Sequence, residues 1–264
     1  MNNLVFFLGG HDLEMQTIGE LLRRHVTASR IHDKNLSWGA RASAYQAEIH
    51  AAFDAKMTPV LIELMDDLEL DAARIIVVVD HHGARAGQDA PTSLEQIFAL
   101  LELPSAEWTR WFELVAANDK GHVAEMLERG ASLKEIIEVR RADRAAQGIT
   151  SEEEAAAEEA VKRAEVFAAG RLTVVRLAHS RAAAVTDRLE RALGGAGYEN
   201  LLVVSPGQVN FFGAGEHVRA LDAHFPGGWY GGALPVRGFW GFSADDVPDV
   251  KSFLLAQLDG EARR

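Results

Sequence analysis

The chain has 264 residues, 48% of them hydrophobic and 25% charged, with a formal charge of -12; this suits a globular protein and argues against broad, non-specific binding to nucleic acid. It contains no cysteine, which excludes disulfides, thiolate zinc sites, iron–sulfur clusters and a cysteine nucleophile, so a metal has to be held by His, Asp and Glu. No apolar run approaches a membrane span, and "MNNLVFFLGGHDLE" has neither the basic start nor the cleavage site of a secretory signal, so a cytoplasmic protein with no membrane partner is expected.

In chain order, "NLVFFLGG" (3–10) reads as a strand ending in a glycine turn, and "DLEMQTIGELLRRH" carries the helical period. A helix from Arg41 to Asp54 and a strand from Thr58 to Leu64 follow, and Trp38, just before them, is expected in the core. "RIIVVVDHHGARAG" (74–87) places branched apolar residues, Ile76 to Val79, directly before Asp80-His81-His82. Such a run reads as a strand buried on both faces, the kind found in parallel sheets, whose ligands bind beyond the carboxyl ends of the strands. After Gly83 the chain turns helical through "SLEQIFALLEL", "EWTRWFELVAAND" and "SLKEIIEVRRADRAA". Thr150 with Glu153 forms a capping box that opens a long linker helix, set at 149–169. Beyond Gly170, strand, helix, strand pair and helix make a smaller α/β domain, 170–264. The fold class is therefore α/β: a first domain, 1–148, with a mainly parallel sheet flanked by helices, then the linker helix and the smaller domain.

Acids and imidazoles fall at four places where a strand or a glycine-flanked turn ends. These are His11-Asp12-Leu13-Glu14, Glu63, Asp80-His81-His82, and Asn118-Asp119-Lys120-Gly121-His122. Parallel neighbours bring their carboxyl ends to one edge of the sheet, so these groups are expected to converge. Carboxylates mixed with imidazole suit manganese or magnesium. The structural alternatives are capping of the first helix by Asp12 and Glu14, and an ordinary Asn-Asp turn at Asp119.

Asp80-His81-His82 after a hydrophobic strand resembles the signature of the DHH phosphoesterase superfamily, and the order of the remaining elements is similar from Asn3 to about Leu258. The resemblance implies metal-dependent hydrolysis of a phosphodiester or phosphoanhydride at two Mn2+ (or Mg2+) ions. It makes His11 a ligand of one ion, His81 and Asp119 ligands of the other, and places His82 near the phosphate. Asp80, Asp12 and Glu14 supply further carboxylates, and Glu63 stands where the family has a bridging Asp. The first motif departs from the family's, in which the His is followed by Asp four and six positions later; here Asp12 and Glu14 crowd against His11, with Asp33 as a substitute.

In the C-terminal domain the resemblance implies a glycine-rich substrate loop. "GGWYGGALPVRGFWG" occupies that region, with Gly231 and Gly232 for close backbone approach, Arg237 for a phosphate, and Trp229, Tyr230 and Trp240 as stacking faces. His179 and Arg181 are further phosphate candidates at a helix start. The expected partner is a phosphate-containing small molecule or a short single-stranded nucleic acid, and the aromatic loop also allows a homodimer interface. The alternative is a nucleotide-binding or assembly protein on a catalytically decayed scaffold of this kind.

Overall fold

A computed structural model of the chain describes residues 3–69, 74–244 and 249–261. It forms two compact units: residues 1–81 with 90–119, and residues 82–89 with 120–264.

The first unit holds a four-stranded sheet, β1 (Leu4–Leu8), β2 (Ile31–His32), β3 (Thr58–Ile62) and β4 (Val77–Val79), in the order β2-β1-β3-β4. Every pairing is parallel, so all four carboxyl ends lie along one edge. The central strands are apolar throughout because both faces are covered. On one face Val5, Phe7 and Leu61 pack against Tyr45, Ile49 and Ala52, the last two on α2 (Gln46–Asp54). On the other lie α1 (Leu13–His25) and α3 (Ser93–Leu100), which pack on each other. The helix expected from Arg41 begins as a 3-10 turn, Ala42–Tyr45. That turn positions Tyr45, whose buried hydroxyl donates to the Leu8 carbonyl at 2.7 Å and accepts from the Lys34 amide at 2.9 Å. Burial pushes its pKa up to about 12, so it remains a neutral donor that ties down the end of β1. Trp38, expected in the core, is 43% exposed.

Asp119, read as part of a turn, lies inside α4 (Arg110–Glu128); the helix breaks just after it, at Gly121 and His122. The division between the units falls beside this break, not near residue 148. Residues 120–148 therefore belong with the second unit, which is the larger one. The reason is packing: α5 (Leu133–Ala146) buries Ile136, Val139 and Arg140, and it sits against α7 (Ala183–Leu189).

Thr150 and Glu153 form the expected capping box on α6 (Ser151–Lys162). This helix ends at Lys162, short of the expected 169, because Val166 and Phe167 join a strand. The sheet of this unit comprises β5 (Glu165–Phe167), β6 (Leu172–Arg176), β7 (Asn200–Ser205), β8 (Gln208–Ala214), β9 (Trp229–Gly231) and β10 (Arg237–Ser243). Its order is β5-β6-β7-β8-β10-β9, antiparallel except for β6 with β7. The glycine-rich segment expected as a loop is thus a hairpin. Its glycines give rings and backbone room: a Cβ on Gly241 would stand 2.3 Å from the Trp229 ring, and one on Gly238 2.4 Å from the Gly231 carbonyl. Trp240, offered above as a stacking face, is fully buried among Phe211, Leu202 and Val209, with α8 (Gly215–His224) and α9 (Val250–Glu261) contributing Leu221 and Leu254.

An ion-pair network ties the helices of this unit together. Buried Arg140 donates to Asp187 at 2.8 Å and to Asp143 at 2.9 Å. Asp187 also accepts from Arg144, which in turn reaches Glu154 at 2.7 Å. Removing one member of a buried pair strands its partner without compensation. Asp187→Ala is therefore expected to destabilise the protein by about 3–5 kcal/mol in urea denaturation, whereas Lys162→Ala, which breaks an exposed pair with Glu158 and Glu159, should leave the transition in place.

Candidate metal centre

The site grows from the carboxyl edge of the first unit's sheet. Beyond β4 the chain turns at Asp80, whose carbonyl accepts from Gln96 Nε2 at 3.1 Å, and His81 folds inward to become buried. Beyond β3, Glu63 adopts a left-handed backbone, φ 49°, unusual for a residue with a side chain; its amide stays tied to the Val79 carbonyl at 2.8 Å. Gly9 makes this approach possible, since a Cβ there would stand 2.5 Å from the Glu63 carbonyl oxygen. Asp12 caps α1 by accepting from the Met15 amide at 2.8 Å, which fixes the helix start and places Glu14 in its first turn. Glu14 Oε1 accepts from the Leu94 amide at 3.0 Å, at the N-terminal end of α3, a favourable place for a carboxylate. Asp119 comes from α4.

The four side chains meet at His81 Nε2. Asp119 Oδ2 lies 2.6 Å from it, and Glu14 Oε2 and Glu63 Oε1 each lie 3.5 Å away. Ligand atoms of Glu63, His81 and Asp119 all fall within 4.8 Å of one another. One ring nitrogen carries at most one proton, so it cannot satisfy three carboxylates. The excess of negative charge is reflected in proton affinity. Burial, then Asp119, pushes the Glu14 carboxyl up to about 7. Burial opposes a charge on His81, yet Asp119, Glu14 and Glu63 outweigh it and hold the imidazole well above its ordinary pKa. Carboxylate oxygens gathered with imidazole nitrogen, and no thiolate, make a donor set that fits a hard divalent cation.

His11 Nδ1 stands 3.4 Å from Gln16 Nε2. Asp33 is engaged by Arg23 at 3.0 Å and by the Asn35 amide at 3.0 Å, so it is occupied locally. In the second unit, the His82 ring meets Phe239 edge-on at 6.1 Å, and a Cβ on Gly231 would stand 2.8 Å from it; the glycine gives that imidazole its space. Gly232 turns the hairpin at φ 105°. Arg237 donates to the Glu199 carbonyl at 3.2 Å and lies over the Tyr198 ring. His179 meets the Glu153 carbonyl at 2.9 Å and accepts from the Arg181 amide at 3.2 Å, a contact between loop and helix. Tyr230 lies under Arg219. The Leu94 amide that positions Glu14 was not among the expected site groups; the Thr92–Glu95 capping box at the start of α3 was its one signal in the sequence.

No family profile matches the sequence, and no curated protein sequence matches it. Solved structures do resemble it. RecJ from Thermus thermophilus, in complex with Mn2+, is 13% identical with a TM-score of 0.55, over 97% of this chain and 52% of RecJ. The DHH domain of a member of the s1p family of ribosomal proteins is 12% identical with a TM-score of 0.53, over 98% of this chain and 86% of that one. The chain shares the fold of these structures, the DHH domain among them, and spans about half the length of that RecJ chain.

The charge surplus sets a pH dependence for the metal-free protein. The folded state raises Glu14 from 4.5 to about 7 and raises His81 above 6.5. Stability from these bound protons is complete below the unfolded values and is lost as pH rises through the folded ones. In EDTA the melting temperature should fall as pH rises from about 4.5 to about 7 through Glu14, and further above about 6.5 through His81. Glu14→Gln should flatten the first part of that slope, and Mn2+, which needs deprotonated ligands, should oppose it. An EDTA slope unchanged by Glu14→Gln would show that the cluster does not carry this charge.

Proposed function

We propose that this DHH-fold chain is a divalent-metal-dependent phosphoesterase that hydrolyses a phosphodiester or phosphoanhydride. The observation that carries this reading is the convergence of Glu14, Glu63 and Asp119 on His81 Nε2. These four residues would hold the ion, manganese or magnesium; the structurally similar RecJ is known in complex with Mn2+. Such an ion, when bound, polarises a phosphoryl oxygen and acidifies water. The chain's own residues prepare the site for it. His81 yields the proton on Nε2, the Leu94 amide keeps Glu14 aimed by holding its other oxygen, and the left-handed turn at Glu63 holds a third carboxylate at the sheet edge. His82, on its glycine seat, is the residue proposed to meet the phosphate.

We read one assembled ion site rather than the two that the resemblance implies, because Asp12 is used as a helix cap and His11 faces Gln16. The substrates that fit this chemistry are a short oligonucleotide, a cyclic dinucleotide or a small phosphorylated metabolite. The same use of Asp12 and His11 favours, as a second reading, a nucleotide-binding protein that retains the cluster and no longer cuts.

The test is turnover of an aryl phosphodiester, short oligonucleotides and pyrophosphate after EDTA treatment and reloading with Mn2+ or Mg2+, alongside metal analysis. Hydrolysis should follow the added ion, and His81→Ala and Asp119→Asn should each lower it by at least about 10²-fold together with metal content. Equal rates for wild type and His81→Ala would overturn the enzymatic reading. One bound ion without turnover on any of the three substrates would establish the second.

A further inference from the structure

β4 (Val77–Val79) closes one side of the first unit's sheet, and among the described residues it pairs with β3 alone. The run that leads through it, Arg74 to Val79, is apolar after its first residue and reads as a strand covered on both faces. The structure covers little of it. Ile75 is 72% exposed, Ile76, Val77 and Val78 are partly buried, and Val79 is the first buried side chain of the run. An apolar edge of this kind is a template for one more strand.

The direction of the backbone groups shows which strand fits. The Glu63 amide donates to the Val79 carbonyl at 2.8 Å, so Val79 turns its polar groups toward β3, and so does Val77 two residues before it. Alternation turns the N–H and C=O of Val78 outward, and those of Ile76 with them; among the described residues no backbone group meets either pair. Asp80 is the next outward position, but its carbonyl already accepts from Gln96 Nε2 at 3.1 Å. The open positions are therefore Ile76 and Val78, with Val77 between them. An identical strand running the opposite way satisfies both: Ile76 of each copy exchanges hydrogen bonds with Val78 of the other, about a two-fold axis at Val77. The same register sets exposed Arg74 of each copy opposite Asp80 of the other, so charges of opposite sign meet at both ends. Moving the axis to Val78 would require the occupied Asp80 carbonyl, and moving it to Ile76 would leave Arg74 opposite Val78.

We propose that β4 is a homodimer interface, at which a second copy of this chain adds its own β4 antiparallel to the first, with the two-fold axis at Val77. The pairing uses neither the His81 cluster nor turnover, so its test stands apart from the function proposed above.

Because the chain has no cysteine, single substitutions in the full chain can test the register. Val77 opposite itself is a non-hydrogen-bonded pair with Cα atoms about 4.5 Å apart, inside the range a disulfide spans. The two copies of Ile75 stand four residues apart along the strands, roughly 13 Å, outside it. In an oxidising buffer Val77→Cys should link into a covalent dimer, and Ile75→Cys should lag at least about tenfold behind at the same concentration. Sedimentation equilibrium of the unaltered protein should show a mass that rises toward twice the monomer with concentration, with or without Mn2+. Val78→Pro removes an outward N–H and no bond to β3, and Ile75→Lys puts a charge on the exposed edge; each should remain monomeric where the unaltered protein is a dimer, with its thermal transition retained. An unaltered protein that stays monomeric at every concentration, equal linkage of the two cysteine variants, or a dimer that survives both Val78→Pro and Ile75→Lys would overturn the proposal. Loss of metal-dependent hydrolysis in a protein that still dimerises through Val77→Cys would remove the phosphoesterase reading and leave this one intact.

Discussion

Three carboxylates drawn to one imidazole nitrogen repel one another, and the architecture of the first unit is best understood as the means of holding them there. Two unit charges about 4 Å apart interact by about 4 kcal/mol at an effective dielectric near 20, so the cluster stores an unfavourable energy that no single side chain could withstand alone. The restraint is distributed. Parallel pairing fixes the sheet edge, Tyr45 ties the Leu8 carbonyl, Gly9 lets the turn after β3 close in, and the Leu94 amide secures Glu14. Part of the strain is visible in the backbone at Glu63, and strain of that kind persists where the surrounding structure over-determines it.

The second unit handles buried charge by pairing it. Around Arg140 the account is closed, with Asp187 and Asp143 inside hydrogen-bonding distance and Arg144 bringing Glu154 into the same network. Such a network explains how helices expected in different domains come to pack together. The His81 cluster of the first unit differs, since it carries a surplus of anions. Uncompensated buried charge is costly enough that a fold keeps it where something else is to be bound.

Much of the candidate centre was legible in the sequence because strand ends can be read there. Ile76 to Val79 announced a buried strand, and parallel neighbours made convergence of Glu63 and His81 a geometric consequence. Asp12 and Glu14 were ambiguous for a physical reason: an acid just before a helix and an acid in its first turn look the same whether they cap or coordinate. The structure separates them, Asp12 taking the Met15 amide and Glu14 turning inward. Asp119 closes the helical stretch "EWTRWFELVAAND" yet also reads as an Asn-Asp turn, because the turn signal of Gly121 and His122 belongs to a break after it. The hairpin of β9 and β10 was hidden because its glycines lower strand propensity, while the packing that requires them, Trp229 over Gly241, exists only in the folded state.

The likeness to RecJ and to the s1p-family DHH domain lies at 12–13% identity, and a shared fold does not transmit a shared reaction; what bears on chemistry is the donor set of this chain. Compression of the first motif has a definite structural result. With Asp12 as the cap, α1 starts at Leu13, so the first carboxylate able to face the sheet edge from that helix is Glu14, one residue into it. The longer reach of Glu brings its oxygen to His81 while leaving the other oxygen for the Leu94 amide. The set that results combines carboxylate oxygens with imidazole nitrogen and has no sulfur, a hard set that favours manganese or magnesium over a thiophilic ion. Within the first motif, Asp12 Oδ1 caps the helix and Glu14 is aimed at His81 from behind that cap.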